Sequence, residues 1–148
     1  MKTPLISIIT PSFNSEKTIC TTIESILKQT YSNIEYIIVD GGSADKTVET
    51  AESYRGALES RGISYRIISE PDRGIYDAMN KGVRMANGGL IGIINSDDWY
   101  EKNALQRVAE AYEKDPFDMF YADLKIWQED AQGCLKEKMI KHSRLRKL

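Results

Sequence analysis

Short apolar runs recur along the chain at intervals of roughly 25 to 30 residues, the repeat expected of strands that alternate with helices. A run such as Tyr36–Val39 is apolar without interruption, which suits a strand in a sheet that is covered on both faces. The pattern predicts an α/β fold with a mainly parallel central sheet. The predicted strands are Leu5–Ile9, Glu35–Val39, Ser64–Ile68, Leu90–Ile94 and Asp118–Ala122.

Helices are predicted between these strands. Ile19, Ile23 and Ile26 have the i, i+4, i+7 spacing of a helix with one buried face. Asn14 or Ser15 is expected to cap this helix at its start. The predicted helices are Ser15–Gln29, Asp45–Ser60, Ile75–Ala86 and Asn103–Lys114.

The helix predicted over Ile75–Ala86 carries both large and small apolar residues. Ala78 and Gly82 would allow it to pack closely against its neighbours. Its large residues are expected to form a stripe that faces the core. This stripe consists of Ile75, Met79, Val83 and Ala86.

Length and charge limit the class of protein. A chain of 148 residues is long enough for one compact domain with one core. The formal net charge is −2, but Lys136–Leu148 holds six Lys and Arg residues against one acid. The rest of the chain is therefore acidic, which argues against a general nucleic-acid surface. Two readings of the basic segment stay open: contact with anionic lipid or acceptor at a membrane surface, or a solvated terminal segment.

The thiols and the N-terminal sequence also exclude some classes. Cys20 and Cys134 lie far apart, and the one histidine, His142, cannot complete a zinc site with them at usual ligand spacing. This cysteine usage fits a reducing cytoplasm. Met1–Thr10 holds only a short apolar run, so it predicts neither a secretory signal nor a membrane span.

Polar loops follow four of the predicted strands. Because the carboxyl ends of parallel strands lie at one edge of a sheet, where ligands bind in open α/β folds, these loops are expected to meet there. They are Thr10–Pro11, Asp40–Ser43, Glu70–Arg73 and Asn95–Asp98.

Asp97 and Asp98 give the strongest local signal for chemistry. Two adjacent carboxylates after a strand repel each other unless a cation, hydrogen-bond donors or solvent relieves them. Mg²⁺ or Mn²⁺ bridging to phosphate oxygens is one such relief. The alternative is a solvated turn in which one aspartate caps the next helix.

Two further residues at this edge have a functional and a structural reading. Asp40 precedes two glycines that would let a flat ligand approach the backbone. It is therefore a candidate to accept a hydrogen bond from a base or a ribose. Alternatively, it only forms the turn. Arg73 offers a planar cation for a diphosphate. Alternatively, it pairs with Glu70 or Asp72 on the surface.

Taken in order, four segments of this chain resemble the family 2 glycosyltransferases of the GT-A fold, a Rossmann-like α/β sandwich. They are Ile8–Asn14, Ile37–Ser43, Asp72–Gly82 and Gly92–Asp98. Ser96 stands at the first acidic place of the family's D-x-D-type motif. The resemblance covers roughly the nucleotide-sugar half of the family's fold.

The resemblance implies a donor site for a nucleotide sugar, with UDP as the expected nucleotide. It implies inverting transfer to a saccharide or lipid-linked acceptor in the synthesis of surface polysaccharide or cell-envelope glycan, at the inner face of the membrane. The implied site consists of Thr10, Pro11 and Asn14 near the nucleoside, Asp40 on the base, Arg73 near the phosphates, Asp97 on the ribose and Asp98 on Mn²⁺ or Mg²⁺.

Family members continue past the segments matched here, and their later part carries the acceptor site and the catalytic base. We therefore expect a chain truncated at its C-terminus, with residues 1–100 binding the donor and residues 101–148 beginning an incomplete acceptor-binding part of the same domain. The base is expected beyond residue 148. Apolar surface and a sheet edge left open would favour self-association into homo-oligomers.

Other functions remain to be weighed against glycosyl transfer. A catalytically silent fragment that binds nucleotide sugars would have the same motifs. A nucleotidyltransferase would share the fold and the metal, but this chain lacks the glycine-rich, lysine-containing start typical of those enzymes. A dinucleotide dehydrogenase is excluded, because no G-x-G-x-x-G follows the first predicted strand.

Overall fold

The computed structural model describes residues 3–116, 118–120 and 122–141. The chain forms two compact units, one up to Lys114 and one from Asp115. Strands and helices alternate through the first unit, so the predicted α/β class is confirmed. Its elements are β1 (Ile6–Ser12), α1 (Ile19–Leu27), β2 (Ile34–Asp40), α2 (Thr47–Ser53), α3 (Arg55–Ser60), β3 (Ser64–Ser69), α4 (Ile75–Met85), β4 (Leu90–Ile93) and α5 (Ala104–Lys114).

The sheet of the first unit has the order β3-β2-β1-β4, and all of its strand pairs are parallel. The predicted mainly parallel sheet is therefore confirmed. Ser12 of β1 lies opposite Asp40 of β2, and Asp40 lies opposite Ser69 of β3. The last residues of three strands are thus level, which places the loops after them side by side.

Pro11 determines where β4 separates from β1. The amide of Ile94 donates to the carbonyl of Ile9 (3.0 Å). Successive amides on one side of a strand are two residues apart, so the next donor on this side of β1 would be Pro11, which has no N–H. The ladder between β1 and β4 ends here, and the loop after β4 diverges from β1.

Helices cover both faces of the sheet. On one face, α1 packs its buried isoleucines Ile19, Ile23 and Ile26 into a core that includes Ile8 and Ile38. Residues of α2, α3 and α5 belong to the same core. On the other face, α4 packs against β2 through a smaller cluster formed by Ile37, Val39 and Ala78.

The orientation of α4 differs from the prediction. Ile75 and Val83 of the predicted stripe are 47% and 41% exposed, whereas the helix buries Ala78 and Gly82. A Cβ atom on Gly82 would lie 2.4 Å from Cγ2 of Ile9. The small residues therefore face the sheet because they permit a closer approach than the large ones, and this close approach turns part of the stripe towards solvent.

Two predicted helices have different limits. The start and the cap predicted for α1 are wrong, since the helix begins at Ile19 after Thr18, without a side-chain cap. The segment predicted as one helix over Asp45–Ser60 is divided into α2 and α3 at Tyr54. The Tyr54 hydroxyl donates to the Glu24 carboxylate of α1 (3.0 Å), which anchors the chain at the break.

The second unit is an antiparallel hairpin of β5 (Leu124–Glu129) and β6 (Leu135–Lys141). Its turn lies at Asp130–Gly133, where the Gly133 amide donates to the Asp130 carbonyl (2.9 Å). The strand predicted over Asp118–Ala122 is wrong for residues 118–120 and 122, because strand pairing begins only at Leu124, at a register set by the turn. Tyr121 of that strand and residues 142–148 of the basic segment, including His142, lie outside the described residues.

No helix within the described ranges has both the length and the apolar character that a bilayer crossing requires. Cys20 and Cys134 are both free thiols. Neither observation adds an element to the fold.

The close contact of α4 with the sheet can be tested by adding one methyl group. We expect Gly82→Ala to lower the free energy of unfolding by roughly 1 to 3 kcal/mol, because the new Cβ atom would overlap the stiff, β-branched side chain of Ile9. The matched control is Gly56→Ala in α3, where nothing lies within 4 Å of the new atom. This variant should be stabilised by up to about 1 kcal/mol, the usual helical advantage of alanine. Denaturant titrations of both variants that moved in the same direction would contradict the packing argument.

Candidate functional site

The loops after β1, β2 and β4 meet at the carboxyl edge of the sheet, as the sequence predicts. The Asn14 amide donates to Ser43 Oγ (2.8 Å), and the Asn14 side-chain oxygen accepts from the Ala44 amide (3.0 Å). Asn14 has a positive φ of 48°, which asparagine tolerates better than most residues. Ser15 Oγ lies 2.8 Å from Ser96 Oγ, joining the first loop to the loop after β4. Asn14 and Ser15 therefore bridge between loops instead of capping α1.

Asp40 is the most heavily hydrogen-bonded group at this edge. The residue is fully buried at the end of β2. One carboxylate oxygen accepts from the hydroxyls of Ser12 and Ser43. The other accepts from the amides of Gly42 (3.0 Å) and Ser43 (2.8 Å) and from the Ser69 hydroxyl (2.7 Å). Both oxygens are thus occupied by donors from β1, β3 and the loop after β2.

The hydrogen bonds decide the charge state of Asp40. Burial raises the pKa of this carboxyl, but the donors from Ser43, Ser69 and Ser12 outweigh burial and hold the pKa below its ordinary value. Asp40 is therefore ionised at neutral pH, and its charge is neutralised by dipoles of the protein. The predicted contact between Asp40 and a base stays a prediction, and it would have to displace one of these donors.

Thr10 and Pro11 are buried in β1. The Thr10 hydroxyl shares a hydrogen bond with the Tyr36 hydroxyl (3.0 Å) inside the sheet. Neither side chain is exposed at the edge, and the effect of Pro11 on the site comes from ending the ladder with β4. Their predicted contact with a nucleoside stays a prediction.

Asp97 and Asp98 lie in the turn after β4, and both reach solvent. The Asp98 amide donates to the Asn95 carbonyl (3.1 Å), and the Thr22 hydroxyl donates to the Asp98 carbonyl (2.7 Å), so the turn is fixed to α1. Partial burial raises the pKa of the Asp98 carboxyl, and the negative charge of Asp97 raises it further. In contrast to Asp40, the Asp98 carboxylate accepts, among the described residues, only one long hydrogen bond, from Asn95, to compensate its charge.

This carboxylate pair fits a divalent cation. The side-chain amide of Asn95 makes only a long hydrogen bond to Asp98 (3.4 Å), which leaves oxygen ligands available. Mg²⁺ and Mn²⁺ at phosphate sites are commonly held by one or two carboxylates together with phosphate oxygens and water. Over the described ranges, no cluster of three or more potential protein ligands is present. The protein would therefore hold a cation jointly with a phosphate-bearing ligand.

Arg73 follows β3 in the loop that leads to α4, and its side chain is exposed. Its guanidinium forms no ion pair with Glu70 or Asp72 among the residues that the structure describes. Glu70 pairs instead with Lys81 (2.9 Å). The predicted surface pair with Glu70 or Asp72 is therefore wrong. The Arg73 charge instead helps to lower the pKa of the Asp77 carboxyl, and its exposed side chain lies next to the edge of the sheet.

The aromatic residues near the edge have different environments. Tyr100 is partly buried against the core, whereas Trp99 is 39% exposed. Phe13, to which the sequence analysis gives no role, is 62% exposed in the loop after β1. Ser12 and Ser69, which also hold Asp40, were missed because they lie on neighbouring strands and are distant from Asp40 in sequence.

Solved structures define the class of protein to which this arrangement belongs. The structure of S. aureus TarS in complex with UDP has a TM-score of 0.66 and 28% sequence identity, covering 74% of this chain and 32% of that one. The mannosyltransferase PcManGT from Pyrobaculum calidifontis, in complex with GDP-Man and Mn²⁺, has a TM-score of 0.61 and 25% identity with coverage of 74% and 32%. The fold is that of the GT-A glycosyltransferases, which confirms the expected fold.

The chain belongs to glycosyl transferase family 2, whose family model matches residues 7–146. A PGL/p-HBAD biosynthesis glycosyltransferase of Mycobacterium bovis is 38% identical over 126 residues, which are 84% of this chain and 48% of that protein. The uncharacterized glycosyltransferase EpsJ of Bacillus subtilis is 37% identical over 116 residues, 78% of this chain and 33% of its own length. The chain thus spans about half the length of the mycobacterial relative and about a third of the length of EpsJ.

Replacing the Asp40 carboxylate tests whether it holds the edge of the sheet together. We expect Asp40→Asn to lower the free energy of unfolding by roughly 2 kcal/mol at neutral pH, because an amide nitrogen would face N–H and O–H donors. The folded-state pKa of Asp40 is below its ordinary value of 3.8, so this stabilisation is present above about 3.8 and is lost as the pH falls through the folded-state pKa. Denaturant titrations of wild type and variant should therefore converge in strong acid. A difference that is independent of pH would contradict the assignment.

Proposed function

We propose that this chain is the donor-binding part of a glycosyltransferase that uses a nucleotide-activated sugar, with UDP as the nucleotide. The observation that carries the proposal is the meeting of the family's motif loops at one edge of the sheet, where the exposed Asp97–Asp98 pair follows β4 and the exposed Arg73 follows β3. The complexes of TarS with UDP and of PcManGT with GDP-Man support a nucleoside diphosphate ligand.

The residues at this edge divide between phosphate, ribose and nucleoside. Arg73 would place its planar guanidinium against the diphosphate, where two parallel hydrogen bonds to phosphate oxygens are geometrically favoured. Asp97 would accept hydrogen bonds from the ribose hydroxyls. Asn14, with Thr10 and Pro11 behind it in β1, would form the wall on the nucleoside side.

Asp98 would be the protein ligand of Mn²⁺ or Mg²⁺. A bound cation of this type acts as a Lewis acid on a diphosphate leaving group. Asp98 supports this role because its charge is poorly compensated in the free protein, as its raised pKa indicates. Cation binding would relieve the repulsion between Asp97 and Asp98, so the energetic cost of the pair in the free protein becomes part of the affinity for the ligand.

The proposed reaction is an inverting transfer, in which an acceptor hydroxyl displaces the nucleoside diphosphate from the anomeric carbon. A general base must remove the hydroxyl proton, a contribution typically of about 10²- to 10⁴-fold. We assign no base within residues 1–148. We propose that residues 1–100 bind the donor and that the following residues begin the acceptor part, and that the acceptor is a saccharide or a lipid-linked glycan of the cell envelope.

Metal-dependent binding of a nucleoside diphosphate tests the proposal. By calorimetry, UDP should bind more tightly with Mn²⁺ than in excess EDTA. Asp98→Asn should remove this gain and leave the fold intact. Because the Asp98 pKa is raised, protons compete with the metal at higher pH than for an ordinary aspartate, so the Mn²⁺-dependent gain should fall early as the solution is acidified.

The stability of the same variant is an internal control. A carboxyl with a raised pKa destabilises the fold once it ionises, so Asp98→Asn should unfold at an equal or higher temperature than wild type at neutral pH. Equal UDP affinity with Mn²⁺ and with EDTA would remove the metal from the proposal. The absence of binding for UDP, GDP, CDP and ADP alike would overturn the proposed function as a whole.

The products of the reaction distinguish glycosyl transfer from the alternatives. With a UDP-sugar, Mn²⁺ and saccharide or lipid-linked acceptors, a glycosyltransferase releases UDP and glycosylates the acceptor. A nucleotidyltransferase, run in reverse with pyrophosphate, would form UTP and a sugar phosphate. The assay is to be made with the 148-residue chain and with the full gene product. Formation of UTP without acceptor glycosylation by the full gene product would contradict the proposed reaction.

A further inference from the structure

The two aspartates nearest the glycine turn after β2 differ in how far the protein occupies them. Both oxygens of Asp40 accept hydrogen bonds from protein donors, and the residue is fully buried. Asp72, in the loop after β3, is only half-buried. Its Oδ1 accepts from the Gly74 amide (2.8 Å), whereas its Oδ2 accepts from no donor among the described residues. The oxygen that remains available to a ligand therefore belongs to Asp72.

The Asp72 carboxylate lies directly over Gly41. A Cβ atom built on Gly41 would be 2.8 Å from Asp72 Oδ2 and 3.1 Å from both Oδ1 and the carboxyl carbon. Any side chain at position 41 would displace this carboxylate. The glycine thus allows a carboxylate from the neighbouring loop to occupy the place that a side chain at position 41 would take.

Resting on the proposed function, we propose that Asp72, and not Asp40, recognises the base of the nucleotide donor. The Oδ2 of Asp72 lies at the glycine turn, 2.8 Å from the place of a Cβ atom on Gly41, so a base that reaches this turn meets an oxygen that no described donor occupies. An ionised carboxylate only accepts hydrogen bonds. The chemical class selected is therefore a base with a ring N–H on its pairing edge, such as uracil N3–H or guanine N1–H, whereas cytosine presents an acceptor at that ring position.

The test is the ratio of UDP to CDP affinity, measured by calorimetry in the presence of Mn²⁺. Wild type should favour UDP. Asp72→Asn should lose at least about tenfold in UDP affinity, the effect of one hydrogen bond to a charged group, and should lose less or gain for CDP, so that the preference falls or reverses. The asparagine Oδ1 can still accept from the Gly74 amide, so a residue with only a turn-forming role would leave the ratio unchanged.

A second variant changes the position of the carboxylate and keeps its charge. Gly41→Ala should push Asp72 aside and lower the UDP to CDP ratio, although no functional group is removed. The matched control for Asp72→Asn is Asp45→Asn. Asp45 is also an aspartate of these loops, and its Oδ1 also accepts from the amide two residues ahead, that of Thr47 (2.9 Å). Its oxygens are used by the Thr47 and Glu16 amides. Losing its charge should therefore shift the affinities of UDP and CDP together.

The outcomes separate this inference from the proposed function. A UDP preference that survives unchanged in Asp72→Asn overturns the role of Asp72 and leaves donor binding standing. A wild type that binds no nucleoside diphosphate overturns both. GDP distinguishes the two bases: if GDP binds more tightly than UDP and Asp72→Asn abolishes this, the recognised N–H is that of guanine, and the role of Asp72 is supported.

Discussion

The arrangement of the site depends on one buried carboxylate that is surrounded by donors. Asp40 ends β2 and draws in the Ser12 hydroxyl from β1, the Ser69 hydroxyl from β3 and the amides of its own loop. Burying an ionised group is unfavourable by several kcal/mol unless hydrogen bonds compensate it. Here the compensation comes from the two neighbouring strands and from the loop after β2, so the carboxylate fixes the ends of β1, β2 and β3 relative to one another and gives the neighbouring loops a rigid base.

The carboxylates at this edge of the sheet differ in the hydrogen-bond donors and charges around them, and so they differ in what they can bind. The pKa of Asp40 is lowered by hydrogen-bond donors, and its charge is stabilised by groups of the protein itself. The pKa of Asp98 is raised by burial and by Asp97, so the protein compensates its charge poorly. Asp72 has one oxygen that is used by a turn and one that accepts from no donor among the described residues. The distribution of donors, more than the positions of the acids in the sequence, indicates which carboxylates can meet a ligand.

The sheet and the place of the site could be predicted from the sequence. Uninterrupted apolar runs identify buried parallel strands, and parallel strands bring their loops to one edge. The first four strands were predicted to within a few residues. What could not be predicted depends on contacts across the sheet. Ser12 and Ser69, which donate to Asp40, are distant from it in sequence, and the contact between Asp72 and Gly41 joins two loops. The apolar stripe on α4 gave a wrong prediction of its buried face, because close packing favoured Ala78 and Gly82 over larger residues. The limits of the hairpin strand β5 were also missed, because its turn sets its position.

The close contact of Gly82 with Ile9 fixes the position of α4 on the sheet, and through the helix it bears on the loop at the other end. Gly82 lies seven residues after Ile75, roughly 10 Å along a helix axis, and the loop carrying Asp72 and Arg73 is attached to that far end. Because a helix is a stiff element, we expect a displacement of α4 at its contact with Ile9 to displace the charged loop as well. Selection acting on ligand affinity would thus reach a backbone position that no ligand touches, and a map of mutational tolerance would place Gly82 with the binding residues.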